Sequence, residues 1–155
     1  MPNWCEGTLK VRGTKANITR WVNEALQPCG FSDSPQEKML TWSSDGMIAT
    51  VEELAWIKDS YRGFIIEGSK INLWNFETDD EELIIFVKAE FAWGVDVEKL
   101  ALSSKEFNVD YRFYGFEQGM EFNQEVEIIK GTVTLNKKYK FDDYQWECAC
   151  PTLGG

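Results

Sequence analysis

The chain has no histidine. This removes the side chain that ordinarily titrates near neutrality, and with it imidazole acid–base catalysis and the Ser–His and Cys–His nucleophilic pairs. Long apolar runs are missing too. Nothing approaches the roughly 18 residues of a spanning helix, and the opening segment is interrupted by Glu6, Lys10 and Arg12, so neither a membrane span nor a signal peptide is expected. The expected location is therefore the cytoplasm, where Cys5, Cys29, Cys148 and Cys150 stay free thiols rather than two bridges. Basic side chains are the minority: 16 Lys and Arg stand against 26 Asp and Glu, for a net charge of −10. The imbalance is uneven, because residues 1–76 carry 8 basic and 9 acidic groups while residues 77–155 carry 8 and 17. A field of that sign repels phosphate backbones, which makes nucleic acid an unfavourable partner and leaves basic proteins, cations or mimicry of a nucleic acid.

Aromatic residues are abundant, with seven Trp and ten Phe among 155 residues. This points to a large core or an aromatic surface patch. The length is that of a single domain over residues 1–155, able to bury roughly 70% of its unfolded surface without metal or disulfide support.

The pattern opens with a strand. After Trp4, Leu9 and Val11 share one face while Lys10 and Arg12 take the other, and Gly13 ends the run. Thr14 then caps a helix whose stripe is Ile18, Trp21, Val22, Ala25 and Leu26, stopped by Pro28 and Gly30. Residues 31–63 read as an insertion. It begins with loop residues Ser32-Asp33-Ser34-Pro35 and continues with short runs at Met39–Trp42 and Met47–Thr50, joined by a turn at Ser43–Gly46. It ends with a helix marked by a capping box at Thr50–Glu53 and an apolar side of Val51, Leu54, Ile57 and Tyr61. Strands follow at Ile71–Phe76 and Leu83–Trp93, separated by an acidic turn at Glu77–Glu82. Asp96 caps a helix carrying Val97, Leu100, Ala101 and Ser104 on one side. Alternation returns at Val109–Phe113, Phe122–Ile128 and Thr132–Leu135. Residues 120–155 form a C-terminal strand extension and a tail without clear period. Two β–α–β-type halves predict an α+β, ferredoxin-like antiparallel sheet with helices on one face, an insertion after the first helix and extra C-terminal strands. Its central strands are Trp4–Arg12 and Leu83–Trp93.

The opening Met1-Pro2-Asn3-Trp4-Cys5, continuing through Leu9, Val11 and Gly13, resembles the YubB-type ferredoxin-like family of phage- and plasmid-borne proteins. The aromatic strand ending at Trp93, and Glu117-Gln118-Gly119 followed by Phe122, also look like it, while Gly7, Gly94 and Asn123 depart from its pattern. The resemblance spans about residues 1–130. It implies a ferredoxin-like domain from a bacterial mobile element and no established reaction.

The residues offer several chemistries. Pro2 could act as a base only as a free N-terminal amine; a proline that stiffens the strand entry is the plainer reading. Cys148 and Cys150, with Cys5 and Cys29, could form a thiolate zinc site. The spacing fits poorly, and alternation places Cys148 and Cys150 on one strand face as small buried hydrophobes. The acidic turn at Glu77–Glu82 and Asp142-Asp143 lack the ligand spacing of a calcium loop. Lys137, Lys138 and Lys140 interleave with Tyr139 and Phe141, a pattern that can track a nucleic-acid strand but also suits a solvated sheet edge. Leu153-Gly154-Gly155 resembles the tail of ubiquitin-like carriers, on a chain too long and of the wrong element order, so a frayed terminus is expected.

These weights favour a non-enzymatic protein-binding module without cofactor or metal. Its expected partner is a protein, with a basic one favoured by the charge, met through the acidic C-terminal half and an aromatic patch; the binding residues are Asn3, Trp4, Trp93 and Glu117. An enzyme using Pro2, or Glu117 with Tyr111 or Tyr114 as acid–base pair, is the alternative, and an acidic nucleic-acid mimic is another. Unpaired sheet edges leave room for a homodimer unless the C-terminal strands cover one.

Overall fold

A computed structural model describes residues 1–29, 39–73 and 80–155 of the chain. Its frame is an antiparallel sheet built on β1 (Trp4–Thr14) and β8 (Glu82–Ala92), which pair residue for residue from Trp4↔Ala92 to Thr14↔Glu82. Both follow strict alternation, and their buried faces carry Leu9, Val11, Ile85, Val87 and Phe91. Each such side chain contributes roughly 1.5–3 kcal/mol on burial, which fixes the register, since a slip of one residue would expose the whole set.

β9 (Asp110–Glu117) pairs with the other edge of β1, and β10 (Phe122–Ile129) and β11 (Thr132–Lys140) continue the sheet outward. Beyond β8 lie β6 (Gly63–Ile65), β5 (Ala55–Ile57) and β2 (Leu26–Pro28), so the order is β11-β10-β9-β1-β8-β6-β5-β2. The two strands expected at the centre are at the centre. A second sheet joins β3 (Leu40–Trp42), β4 (Ile48–Val51) and β7 (Lys70–Asn72).

Helices are few and short. Thr14 caps α1 (Lys15–Arg20) by accepting from the Asn17 N–H at 3.1 Å, and a π-helical turn (Trp21–Ala25) carries the chain into β2. α2 (Val97–Phe107) starts at Asp96, whose side chain accepts from the Lys99 N–H, and stops at Asn108 in the left-handed region. It runs between β8 and β9, which lie on either side of β1. A single turn, α3 (Tyr144–Glu147), packs near the chain end.

The expected α+β ferredoxin-like class is therefore wrong. The protein is mostly antiparallel β, with an eight-stranded sheet and small helices. The discrepancy lies chiefly in the segment taken for an insertion. Where a helix was expected over Thr50–Tyr61, Val51 ends β4, and Ala55 and Ile57 alternate with Trp56 in β5. Glu52, the third residue of the supposed capping box, has its N–H on the Met39 carbonyl and its carboxylate on the Thr41 hydroxyl at 2.5 Å. Pairing with distant strands outweighs a local helical period there. The Ser43–Gly46 turn joins β3 to β4 as expected. The Ser32–Pro35 loop, Trp74, Phe76 and Glu77–Asp79 lie outside the described residues.

One face of the main sheet is covered by α1, the π turn and α2. The other presents the even-numbered residues of β1 and β8, and over β10 it is covered by the C-terminal segment, where the Tyr144 hydroxyl donates to buried Asn123 at 3.1 Å. The edge strand β11 carries Lys137, Lys138 and Lys140, charges that discourage pairing with another chain.

Candidate functional site

β1 begins, β8 ends and β9 ends at one margin of the sheet. There the chain leaving β8 makes a turn through Trp93, Gly94 and Val95 whose shape is imposed from outside. The Trp93 N–H donates to the Asn3 carbonyl at 2.8 Å. Buried Gln124 clamps Val95 on both sides, accepting from its N–H at 2.7 Å and donating to its carbonyl at 3.2 Å. Gly94, at φ +102°, has room for no side chain, because a Cβ would stand 2.6 Å from the Gln124 Oε1. These restraints hold Trp93 at φ +57°, a left-handed conformation that costs a bulky residue on the order of 1–3 kcal/mol, and leave the residue 50% exposed.

Trp93 does not stand alone. The Arg62 guanidinium carbon lies 5.4 Å from the Trp93 ring centre and 5.9 Å from that of Trp4. Trp4 in turn meets the edge of Phe64 at 5.8 Å. Arg62 sits in the connection from β5 to β6. That loop is fixed by the Ser60 hydroxyl, which bonds the carbonyls of Ile57 and Gly63, and by the Ala92 N–H donating to the Arg62 carbonyl at 3.0 Å. Arg62 makes no ion pair among the described residues. Its guanidinium is thus held on indole faces by cation–π attraction, with its donors free for a partner. No local sequence signal singles out Arg62, which reaches the two tryptophans only because β6 docks on β8.

Asn3 and Glu117 occupy the same margin but a different layer. Glu117 is completely buried, and its carboxylate accepts from the Gly119 N–H through Oε1 and from the Met120 N–H through Oε2, each at 2.7 Å. The Asn3 amide lies beside it: a Cβ on Gly119 would come within 2.6 Å of Asn3 Nδ2 and 2.9 Å of Glu117 Oε1. All four expected binding residues therefore converge, but only Trp4 and Trp93 form the surface, while Asn3 and Glu117 build the turns beneath it. Neither suggested acid–base partner of Glu117 is placed for the role. Tyr111 is buried against Trp21 and Ser103, and Tyr114 is on the open face, where Asn123 donates to its hydroxyl at 3.3 Å.

The cysteines are dispersed in environment. Cys5 and Cys148 are buried, Cys29 is partly buried with its thiol on the Leu54 carbonyl, and Cys150 is exposed. Burial, reinforced by the Glu117 charge, pushes the Cys5 thiol up to about 12, so it stays a neutral thiol in the core. The expected common strand face for Cys148 and Cys150 is absent; they follow α3, one facing inward and the other outward. Among the described residues, no group of three or more His, Cys, Asp or Glu is arranged to hold a metal ion, and no helix is long and apolar enough to cross a membrane.

Part of the acidic C-terminal half is neutralised internally. Arg112 pairs with both Glu125 and Glu127, and Asp110 is held by Arg12 at 2.7 Å. The basic run on β11 divides between faces, with Lys137 over Tyr139 on the open side and Lys138 over Phe122 on the covered one. The tail is not frayed: the Gly155 N–H donates to the Trp4 carbonyl at 2.9 Å. Leu153 borders an open groove of about 610 Å³ that also includes Glu6, Thr8, Lys10, Lys88 and Tyr114. No family model, curated protein or solved structure matches the chain.

Proposed function

We propose that the chain is a non-enzymatic protein-binding module that meets its partner through the Trp4–Arg62–Trp93 surface. The observation that carries this reading is Trp93 itself: a large aromatic residue kept half exposed on a strained backbone, with Asn3, Gly94 and Gln124 all serving to keep it there. Tryptophan and arginine are the residues most enriched among interface positions that dominate binding energy. Removing an indole from such a centre costs on the order of 2 kcal/mol or more of binding. The four free cysteines fit a reducing compartment such as the cytoplasm. The likeness of Met1–Cys5 to YubB-type proteins points to a bacterial mobile element as the setting in which the partner is met.

The test is co-purification from bacterial lysate with three baits: the wild-type chain, Trp93→Ala and Arg62→Ala. Bound proteins are identified by mass spectrometry, and each bait is checked for an unchanged far-ultraviolet circular dichroism spectrum. A partner present with wild type and depleted at least about tenfold with both variants supports the reading. Identical protein sets on all three baits defeat it.

A further inference from the structure

One row across the open face reads Phe64, Glu90, Glu6, Phe116 on four neighbouring strands. Its centre is a like-charged pair directly opposite each other, an arrangement that destabilises a sheet. Neither carboxylate has a hydrogen bond or an ion pair among the described residues, and Lys88 and Lys10, on the same face, pair with neither. Burial and the charge of Glu6 both raise the pKa of Glu90, the behaviour of a carboxylate short of a counter-charge. The adjoining row contributes Trp4, which touches Phe64 and shares Arg62 with Trp93. This surface already holds one guanidinium on its rings.

We infer that the patch receives an arginine side chain from a basic peptide segment of the partner, stacked on the part-exposed rings of Phe64 and Phe116 and set against Glu6 and Glu90. The inference rests on the protein-binding reading and supplies the partner's chemistry. Arginine suits the place better than lysine because its planar, weakly hydrated cation can stack on a ring while its edge donates to two carboxylates. An anionic segment would meet Glu6 and Glu90 on a chain of net charge −10.

The experiment is a titration of the ¹⁵N-labelled chain with the peptide acetyl-Gly-Arg-Gly-Arg-Gly-amide, followed by nuclear magnetic resonance. Its citrulline counterpart and acetyl-Gly-Glu-Gly-Glu-Gly-amide serve as further probes. The arginine peptide is expected to move the indole N–H signals of Trp4 and Trp93, the citrulline peptide to leave them in place, and the double substitution Glu6→Gln, Glu90→Gln to weaken binding about tenfold in a chain that remains folded. Unchanged affinity in the double variant overturns the inference, as does a response to the glutamate peptide through Arg62 or shifts confined to Lys10 and Lys88 that leave Glu6, Glu90 and the tryptophans in place. The two proposals fail separately. If the double variant retains the natural partner while Trp93→Ala loses it, the arginine assignment falls and the binding surface stands; if Trp93→Ala retains the partner, the surface itself is wrong.

Discussion

The indole N–H of Trp21 donates to the hydroxyl of Tyr111 at 2.6 Å in the middle of the core, and the same hydroxyl shares a second hydrogen bond with Ser103 Oγ at 2.7 Å. The three residues come from the π turn, β9 and α2, so this polar triad ties both covering elements to the sheet. All three are fully or almost fully buried. Burial raises the Tyr111 pKa, so the group stays a neutral hydroxyl.

Tyr111→Phe should therefore act through what it strands rather than what it removes. The ring still fills its place, but the Trp21 N–H and the Ser103 hydroxyl lose their partner in an environment without water. An unsatisfied buried group costs about 1–3 kcal/mol, so a loss of about 2 kcal/mol is expected. Urea denaturation should show a lower midpoint with an unchanged slope. In a double-mutant cycle, adding Trp21→Phe should cost less than the sum of the two single changes, since the second substitution removes the stranded donor.

Glu117→Gln tests whether that carboxylate serves the fold or a reaction. Both of its oxygens accept backbone N–H groups of the turn between β9 and β10, and Gln can present only one acceptor to those two donors. Hydrogen bonds to a charged group contribute about 1.5–3 kcal/mol, and a destabilisation near the lower end is expected because one bond survives. Amide exchange should speed up at Gly119 and Met120 first. Peptide binding at Trp93 should persist in the folded variant, since Glu117 lies beneath the surface rather than on it.

Legibility in the sequence tracked element length and locality. β1 and β8 run eleven residues each and announce themselves by alternation, and α2 is announced by Asp96 at its start. β2, β5, β6 and β7 have three residues each, too few for any period to emerge. Their identity comes from partners elsewhere in the chain, which is why Val51, Leu54 and Ile57 could be mistaken for a helical stripe. The candidate site divides the same way. Trp4 and Trp93 stand out at strand ends, whereas Arg62 becomes part of the site only once β6 has docked on β8. The Glu6–Glu90 pair likewise exists only in the register of β1 on β8, and no inspection of either strand alone reveals it.

That pair also carries a pH signature. The Glu90 pKa is raised above its ordinary value of 4.5, first by burial and then by Glu6. A carboxyl whose folded pKa exceeds its unfolded one binds protons more readily in the native state, so its contribution to stability declines as pH rises through the window between the two values. At neutral pH the destabilisation is complete; on acidification below the folded pKa it is relieved. Glu90→Gln should accordingly be more stable than wild type at pH 7, by about 0.5 kcal/mol given the exposure of the pair. That advantage should shrink as pH falls toward 4.5. Glu127 behaves oppositely: its pKa is lowered by Thr134 and Arg112, so its stabilisation is lost on acidification in both proteins and cancels in the comparison. Thermal melts of the two proteins across this range provide the measurement. A stability difference that is constant with pH, or a variant less stable than wild type at pH 7, would show that Glu6 and Glu90 do not repel each other across the strands.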